Sequence, residues 1–203
     1  MNNVVFALTC SNSYCQFRTT ALYKPTKLNC PLCNSPLSVQ DRLLKNNALV
    51  NADNKKYHKF ALSIVLDNIR SALNVGSIMR TADGCGVQKL FFCGATSTPD
   101  HPKVAKTGLG AEWSIPWEYH PNSVQCIMNL LSDTRKILLL EWTDKAEDLF
   151  LLKADKLQDK EIVLVVGNEL TGIDPAVLEL IDQHIYIPMI GYKKSLNVAV
   201  ALE

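Results

Sequence analysis

Apolar and polar positions follow two different patterns along the chain. Up to residue 59, apolar residues are scattered among Asn, Pro and Cys and show no sustained period. From Phe60 onward, short apolar runs alternate with segments whose apolar residues recur every three or four positions. Short apolar runs are typical of strands buried on both faces, and the wider spacing is typical of amphipathic helices. This alternation predicts an α/β domain with a mostly parallel sheet.

The pattern predicts individual elements within this domain. Predicted strands lie at 61–66, 89–93, 114–118, 136–141, 162–166 and 185–187. Predicted helices lie at 75–85, 123–131 and 175–181, and a last helix begins after residue 195. Asn74, Asp174 and Ser195 are predicted N-caps, because such side chains accept hydrogen bonds from the free N–H groups of a first helical turn. Residues 94–112 are predicted to form one long loop.

The chain divides into a small N-terminal module (1–38), a polar linker (39–59) and the α/β domain (60–203). Charge divides in a similar way. Residues 1–60 hold eight Lys/Arg and two Asp/Glu, a balance of +6, whereas 61–203 hold thirteen and eighteen, a balance of −5. A basic segment joined to an acidic body favours contact with a polyanion such as a nucleic acid. A plain solvated basic surface is the alternative.

Composition narrows the class of protein. The hydrophobic fraction is 47% and the charged fraction 20%, which is ordinary for a soluble globular chain. The longest apolar runs, such as Ile137–Leu140 and Ile162–Val166, are too short to cross a bilayer. The N-terminal residues lack the basic region of a signal peptide. We therefore expect a cytoplasmic protein that does not contact a membrane.

Four of the seven cysteines are clustered near the N-terminus. Cys10 and Cys15 are separated by four residues, and Cys30 and Cys33 by two, with 14 residues between the pairs. In a cytosolic chain, two such pairs predict a tetrahedral zinc site rather than disulfides. Unconnected free thiols are the alternative. A module this small buries little apolar surface, so bound metal would contribute to its folding.

We interpret the N-terminal module, residues 1–38, as a zinc ribbon. This zinc ribbon is predicted to bind RNA rather than to catalyse a reaction. Its basic side chains are candidates for phosphate contacts and its aromatic side chains for stacking on unpaired bases. Aromatic residues in so small a module are also candidates for its core. The candidates are Arg18, Lys24 and Lys27 for phosphate and Phe17 and Tyr23 for bases.

Three polar stretches occur where predicted strands end and helices begin. The crevice at the carboxyl ends of parallel strands is where α/β sheets bind ligands. Each polar residue alone has a structural explanation as a helix cap or salt bridge, but three such junctions together favour a site. The residues are Asn74, Arg80, Asn168, Glu169, Ser195 and Asn197, with Gly76, Gly167, Gly172 and Gly191 expected to allow a ligand close to the backbone.

These stretches closely resemble the three motifs of SpoU-type (TrmH-like) methyltransferases of the SPOUT superfamily. N-x-G-x-x-x-R-T-A matches Asn74–Ala82, and G-N-E-x-x-G matches Gly167–Gly172. I-P-M followed by S-L-N-V matches Ile187–Met189 and Ser195–Val198. The resemblance covers about residues 60–203 and leaves the zinc ribbon outside it.

The resemblance implies a fold and an activity. The fold is an α/β domain whose C-terminal segment is tucked through a loop as a trefoil knot, which ordinary topology rules would not predict. The family transfers methyl from S-adenosyl-L-methionine to a ribose 2′-OH of tRNA or rRNA, and works as a homodimer with the active site near the subunit interface.

The resemblance also assigns site residues. Arg80 is the implied central catalytic residue, as a base or as an anchor that stabilises developing charge. Asn74 would position Arg80 or the ribose, and Glu169 would orient Arg80, either within one subunit or across the dimer. Ser195 and Asn197 would line the catalytic site. The expected cofactor-binding residues are Cys93, Gly94, Gly167, Asn168, Gly172, Ile187, Met189 and Leu196.

The last predicted helix departs from the family pattern. Family members usually continue it for further turns, whereas here only six residues follow Asn197. A helix this short is marginal by itself. We therefore expect either a truncated or a naturally short chain. A non-catalytic RNA-binding protein with a degenerate SPOUT domain is the alternative function, and a different nucleotide-binding enzyme is disfavoured because no G-x-G-x-x-G or P-loop pattern follows a strand.

Overall fold

A computed structural model describes residues 3–21, 26–44, 61–153, 157 and 160–203. The chain forms two compact units, Met1–Asp53 and Asn54–Glu203. Of the predicted linker, 39–44 belongs to a strand and 45–59 lies outside the described residues. No helix in the described part is long and apolar enough to cross a membrane.

The first unit is a three-stranded antiparallel sheet. Its strands are β1 (Asn3–Cys10), β2 (Arg18–Ala21) and β3 (Leu37–Leu44), in the order β2-β1-β3. Tight turns at 10–15 and 30–33 carry the four cysteines. Buried apolar side chains described in this unit are few: Ala7, Leu8, Cys10 and Cys30.

The second unit is built on a seven-stranded sheet in which every pairing is parallel. Its order is β6-β5-β4-β9-β7-β10-β8. All seven strands therefore point their carboxyl ends at the same edge of the sheet. The strands are β4 (Leu62–Asp67), β5 (Lys89–Cys93), β6 (Trp117–His120), β7 (Arg135–Leu140), β8 (Glu147–Asp148), β9 (Glu161–Val166) and β10 (His184–Tyr186).

Helices cover both faces of the sheet, as expected for βαβ connections. The helices are α1 (Ala72–Gly84), α2 (Pro102–Gly108), α3 (Ser123–Leu130), α4 (Pro175–Leu180) and α5 (Val198–Ala201). Alternate strand residues divide between two cores. Leu66 and Phe92 pack with α1 and α5, whereas Val65 and Phe91 pack with α3 and α4. The continuous apolar runs of the central strands are thus explained by burial on both faces.

Most predicted elements are present, with shifts of one to three residues at their ends. The expected loop at 94–112 is wrong, because it contains α2. His101 caps this helix, Pro102 occupies its first position, and Leu109 ends it in a left-handed conformation at φ 52°. Seven residues rich in Lys, Thr and Gly carry too little apolar periodicity for the pattern to reveal a helix. The two-residue strand β8 was missed for the same reason of length.

Candidate active site and metal centre

A cavity of about 290 Å³ lies at the carboxyl ends of the three adjacent strands β9, β7 and β10. This is near the lower end of the range, about 300–1,000 Å³, that ligand pockets occupy. Its walls are the turn after β9, the residues that follow β10, and the first turn of α5. Of the residues expected at the site, it brings together Gly167, Asn168, Glu169, Gly172, Ile187, Met189, Ser195 and Leu196.

The turn after β9 has a conformation that explains its G-N-E-x-x-G sequence. Asn168 and Gly172 exchange backbone hydrogen bonds of 3.0 and 2.9 Å, and the Asn168 side chain accepts from Leu170 N at 2.9 Å. Gly172 has φ +74°, a left-handed value that favours glycine. A Cβ on Gly167 would collide with the backbone of Gly172. Both glycines therefore let the turn close on itself and present Glu169 at its tip.

Glu169 joins this turn to the start of α1. Its Oε2 accepts a hydrogen bond from Arg70 N at 2.9 Å, and its Oε1 accepts from Ser71 N at 3.2 Å. The Asn74 side chain donates to the same Oε1 at 2.8 Å. Asn197, on the segment before α5, donates its Nδ2 to Asn74 Oδ1 at 3.1 Å. The three motifs thus meet in one hydrogen-bonded chain, Glu169–Asn74–Asn197.

The ionisation of Glu169 follows from these contacts. Burial by itself would raise the pKa of the Glu169 carboxyl, but donation from the Arg70 and Ser71 backbone and from Asn74 outweighs it, so the pKa lies below its ordinary value. A carboxylate before the first turn of a helix is also favoured by the helix dipole. Glu169 is therefore ionised at neutral pH and holds the start of α1 in place.

Two predicted helix caps are wrong, and the correction clarifies the site. Ser71, not Asn74, caps α1, with its Oγ accepting from Asn74 N at 3.3 Å. Asn197, not Ser195, caps α5 and accepts from Ala199 N at 2.9 Å. Asn74 is therefore released from capping and uses its side chain to connect Glu169 with Asn197. Asp174 caps α4 as predicted, accepting from Ala176 N at 2.8 Å.

Arg80 is exposed on α1 and lies apart from this chain of hydrogen bonds. It is six residues beyond Asn74, which corresponds to a rise of about 9 Å and to a different face of the helix. Its guanidinium has no hydrogen-bond or ion-pair partner within the part of the chain that the structure describes. The expected contact between Glu169 and Arg80 is therefore not made within a single chain.

Cys93 and Gly94 do not line the cavity. Cys93 is the last residue of β5 and Gly94 follows it. Because β4 separates β5 from β9, this part of the carboxyl edge lies farther along the sheet. Cys93 is fully buried in the core beside α3. Gly94 has φ +59° and faces Asn68, whose Oδ1 accepts from Ala95 N at 3.0 Å.

The expectation that glycines admit a ligand is wrong for Gly76. A Cβ there would collide with Val104 O and Thr107 Oγ1 of α2, so Gly76 allows two helices to approach each other. A Cβ on Gly172 would approach the Glu141 carboxylate at 2.5 Å. Nothing lies within 4 Å of a Cβ built on Gly191.

Nine lining residues were not among the site residues predicted from the sequence, and three of them, Glu141, Trp142 and Tyr186, make defined side-chain contacts. Glu141 follows β7, and its Oε2 accepts from Ile173 N at 3.1 Å, which braces the turn after β9. Trp142 and Tyr186 also line the cavity, with ring centroids 4.9 Å apart. Glu141 could have been found by applying to β7 the rule that identified Glu169: a polar residue directly after a buried strand.

The four N-terminal cysteines form a compact group of thiols. Their Sγ atoms all lie within 4.8 Å of one another, with Cys10–Cys33 at 3.5 Å and Cys15–Cys30 at 3.7 Å. These separations are too long for disulfides. Zinc–sulfur bonds of about 2.3 Å at tetrahedral angles place neighbouring sulfurs about 3.8 Å apart. The cluster therefore has the dimensions of a four-thiolate zinc site.

The backbone around the cysteines supports the same chemistry. Asn12 N donates to Cys10 Sγ and Leu32 N donates to Cys30 Sγ, each at 3.4 Å. Such donors fix the orientation of a sulfur that serves as a metal ligand. The turns close through left-handed residues, Gln16 at φ 52° and Asn34 at φ 60°. The two turns are thus built alike, although their cysteine spacings differ.

Among the residues predicted to touch RNA in this unit, Arg18 and Lys27 are exposed and Phe17 is half-buried. Arg18 Nη1 donates to Thr9 Oγ1 at 2.8 Å, which orients the guanidinium along the sheet. Tyr23 and Lys24 lie outside the described residues. Tyr14, which the sequence did not single out, is 97% exposed.

Comparison with known proteins places the second unit in a family. Over 144 residues the chain is 35% identical to the tRNA (guanosine(18)-2′-O)-methyltransferase of Aquifex aeolicus, covering 69% of this chain and 64% of that protein. The chain spans about half to two thirds of the length of the curated relatives it matches.

Solved structures agree with this relationship. The crystal structure of the A. aeolicus TrmH/SpoU tRNA modifying enzyme matches with a TM-score of 0.61 at 30% identity, over 71% of each chain. An AdoMet-bound rRNA methyltransferase from Sinorhizobium meliloti shares the fold, with a TM-score of 0.64 at 24% identity over 71% of this chain and 54% of that one. The model of the SpoU rRNA Methylase family matches residues 61–203. The chain therefore belongs to the SpoU rRNA Methylase family.

Proposed function

We propose that this chain transfers a methyl group from S-adenosyl-L-methionine to a ribose 2′-OH of tRNA or rRNA. The observation that carries the proposal is the meeting of three family motifs beside one cavity, through the hydrogen-bonded chain Glu169–Asn74–Asn197. The name of the A. aeolicus relative specifies a tRNA guanosine, and that of the S. meliloti protein specifies rRNA. We therefore propose the reaction itself, with either tRNA or rRNA as the acceptor.

The cavity has the chemistry to hold the methyl donor. Met189, Leu196 and Val198 give it apolar walls, while Glu141 contributes a carboxylate. The strand ends add backbone donors and acceptors at Gly167 and Ile187. S-adenosyl-L-methionine would supply an activated methyl group there, and the protein would supply orientation and electrostatics. Its adenosine and methionine portions both require such a mixture of apolar and polar contacts.

The polar chain beside the cavity is suited to orienting a ribose. A hydroxyl is a weak nucleophile, so its oxygen must be aligned with the methyl carbon and its proton removed. Asn74 has one donor committed to Glu169 and its oxygen committed to Asn197, which leaves it rigid. Ser195 is exposed at the cavity rim and its hydroxyl is available to the acceptor. We assign Asn74, Ser195 and Asn197 to positioning the ribose, and Glu169 to holding Asn74.

We assign Arg80 to contact the RNA acceptor at the cavity of the second subunit in a homodimer. A guanidinium stays protonated at accessible pH, so it is better suited to binding a phosphate and stabilising developing charge than to acting as a base. Its distance from Asn74 along α1 argues that it serves the cavity of a second subunit. Leu73 on α1 and Val200 on α5 are 44% and 50% exposed, and these two helices pack together. We infer that this apolar surface is the subunit interface.

The path of the chain after β10 supports a trefoil knot. β10 lies beyond β7 in the sheet, whereas α5 packs on α1 over β4 and β9. Residues 187–197 must therefore return across the carboxyl ends of two strands, beside the turn after β9. We infer that this return passes through a loop, as in the family that the sequence resembles.

The zinc ribbon is proposed to bind zinc at Cys10, Cys15, Cys30 and Cys33 and to contribute to RNA binding. Its support is the tetrahedral spacing of the thiols together with exposed Arg18 and Lys27. An enzyme that modifies tRNA or rRNA in this way would act in the cytoplasm. The ribbon would add affinity through phosphates, and the larger domain would carry out the reaction.

The test combines cofactor binding with methyl transfer. Calorimetric titration with S-adenosylhomocysteine should give about one site per subunit, and labelled methyl should be transferred to bulk tRNA or bulk rRNA and be recovered as 2′-O-methylnucleotides. Asn197→Ala should lose transfer, whereas Lys160→Ala, an exposed substitution at the opposite edge of the sheet, should not. Binding of RNA without any binding of S-adenosylhomocysteine would instead support a non-catalytic RNA-binding protein.

Mixed dimers test the assignment of Arg80. Arg80→Ala and Asn197→Ala subunits, each inactive alone, should regain about a quarter of wild-type activity when mixed equally, because half of the dimers then contain one intact composite site. Absence of any recovery, with mixed dimers verified by mass spectrometry, would place Arg80 in the cavity of its own subunit.

A further inference from the structure

The rim of the cavity carries side chains that the proposed reaction does not yet use. Residues 190–197 are all exposed, and Tyr192 is as accessible as in an extended peptide, at 106%. Lys193 and Lys194 follow it directly and precede Ser195. Neither lysine forms an ion pair within the described parts of the chain. An aromatic ring and two cations are thus exposed together at the mouth of the cavity.

This segment is fixed next to the polar chain of the site. Lys194 and Ser195 line the cavity, and Asn197, two residues further, caps α5 and donates to Asn74. The side chains from 192 to 194 therefore project from a segment whose far end is anchored at the place where the ribose would lie.

A further cation lies at the other end of the same hydrogen-bonded chain. The backbone N of Arg70 donates to Glu169 Oε2 at 2.9 Å, while its side chain is exposed and makes no ion pair in the described part. Cations thus flank the chain Glu169–Asn74–Asn197 on two sides. They stand out because residues 61–203 carry a net charge of −5.

Resting on the proposed function, we propose that Tyr192, Lys193 and Lys194, with Arg70, form a clamp for an unpaired nucleotide of the RNA acceptor. The Tyr192 ring stacks on the base, and the cations contact the phosphates on either side of the ribose. A tyrosine ring stacks well only on a base that has left its helix, because duplex bases already stack on one another. The acceptor class is therefore a single-stranded loop or bulge, and paired RNA is a poor substrate.

The chain provides a matched control for the two lysines. Lys103 and Lys106 on α2 are also exposed and also lack an ion pair in the described part. They line no part of the cavity. Replacing either pair with alanine removes the same charge, so a difference between the two variants reports position rather than net charge.

The first test measures binding of two fluorescein-labelled RNAs by anisotropy with S-adenosylhomocysteine present. One RNA is a hairpin with an unpaired loop of mixed sequence, and the other is a blunt duplex of the same composition. Lys193→Ala with Lys194→Ala should lower hairpin affinity about tenfold and reduce the salt slope by about 1.4, because each of the two lost single-strand phosphate contacts contributes about 0.7. Lys103→Ala with Lys106→Ala should change affinity less than threefold. Equal losses in the two pairs would overturn the proposal.

The second test isolates stacking. Tyr192→Ala should lower hairpin affinity about tenfold and leave duplex affinity unchanged, and Tyr192→Phe should restore binding, since stacking needs the ring alone. Equal loss for both RNAs would overturn the assignment, as would a change of sedimentation coefficient, which would assign Tyr192 to a subunit contact. Because Lys194 lines the cavity, folding of each variant is verified by circular dichroism rather than by binding of S-adenosylhomocysteine. Failure of the wild type to bind it or to transfer methyl would count against the proposed function, whereas these RNA-binding differences test the clamp separately.

Discussion

The two units of this chain reach stability in different ways. In the first, the described buried apolar side chains are four, and two of these are cysteines of the thiol cluster. In the second, two continuous cores cover both faces of a seven-stranded sheet. A small antiparallel sheet cannot bury enough surface to offset the entropy of its chain, whereas a parallel sheet between helices can. From this comparison we expect the first unit to depend on the proposed zinc ion and the second to depend on packing.

The largest expected effect is on the first unit. Cys30→Ser, or removal of metal with a chelator, should unfold the first unit completely, because zinc binding contributes about 10–16 kcal/mol to such modules. Amide resonances of residues 3–44 should collapse in nuclear magnetic resonance spectra while those of the second unit remain. Cys85→Ser, at an exposed thiol outside the cluster, is the control. Retention of dispersed resonances from β1–β3 in Cys30→Ser would refute dependence on metal.

A smaller effect is expected when a buried side chain in the core of the second unit is truncated. Leu66 is fully buried in the core beneath α1. Leu66→Ala should lower the free energy of unfolding of this unit by about 3–5 kcal/mol, because a buried leucine loses both transfer energy and contacts. Denaturant titration measures it, and elemental analysis should find unchanged zinc. Leu131→Ala, at a side chain 49% exposed, should cost less than about 1 kcal/mol. Loss of zinc from Leu66→Ala would mean that the two units do not fold independently.

The contact between α1 and α2 gives a second test of how packing stabilises the second unit. Gly76→Ala should lower the free energy of unfolding by about 1–3 kcal/mol, since its Cβ would press on the Val104 carbonyl. At Gly84, the last residue of the same helix, nothing lies within 4 Å of an added Cβ. Gly84→Ala should therefore be neutral or stabilising by up to about 1 kcal/mol. Thermal unfolding of the pair compares them directly, and similar melting temperatures would contradict the close helix contact.

The smallest effect is electrostatic and depends on pH. The pKa of Glu169 is lowered in the folded state, so its stabilisation is complete above the unfolded value of about 4.3 and is lost as pH falls through the folded pKa. Wild type should exceed Glu169→Gln in melting temperature from pH 6 to 8, and this gap should close below about pH 4. Glu179→Gln, whose exposed carboxylate accepts no hydrogen bond in the described part, should show no such closing gap. If the difference in melting temperature between wild type and Glu169→Gln instead grew as the pH fell, the pKa of Glu169 would be raised rather than lowered in the folded state.

Sequence reasoning succeeded where one physical rule dominated. Because β4 and β9 are buried on both faces, their sequences are apolar runs that predict strands. Asp174 followed by Pro175 predicts the start of α4. The polar residues after β9 and before α5 were identified as a site because they interrupt otherwise apolar junctions. Their convergence on one cavity is a consequence of parallel strands ending at one edge.

Other features could not be predicted from the sequence, because they depend on contacts between residues that are far apart along the chain or that belong to different copies of it. Asn74 and Ser71 are both able to cap α1, and only the position of Glu169, nearly a hundred residues away, decides which does. Cys93 was placed at the cavity because its strand ends at the correct edge, but the sheet order puts β4 between β5 and β9. Arg80 belongs to a conspicuous motif, yet a sequence gives no information on which copy of the chain it serves.

The closing wall of the cavity has a consequence for biosynthesis. A ribosome delivers all seven strands of the larger sheet before residues 194–201, which supply Ser195, Leu196, Val198 and Ala201 to the cavity lining. A nascent chain can therefore bury most of both cores while its ligand site is still open on one side, because domains begin folding from the N-terminus during synthesis. Affinity for the methyl donor would then appear only after this segment has emerged and docked. Binding would then distinguish chains in which residues 194–201 have docked from shorter nascent chains.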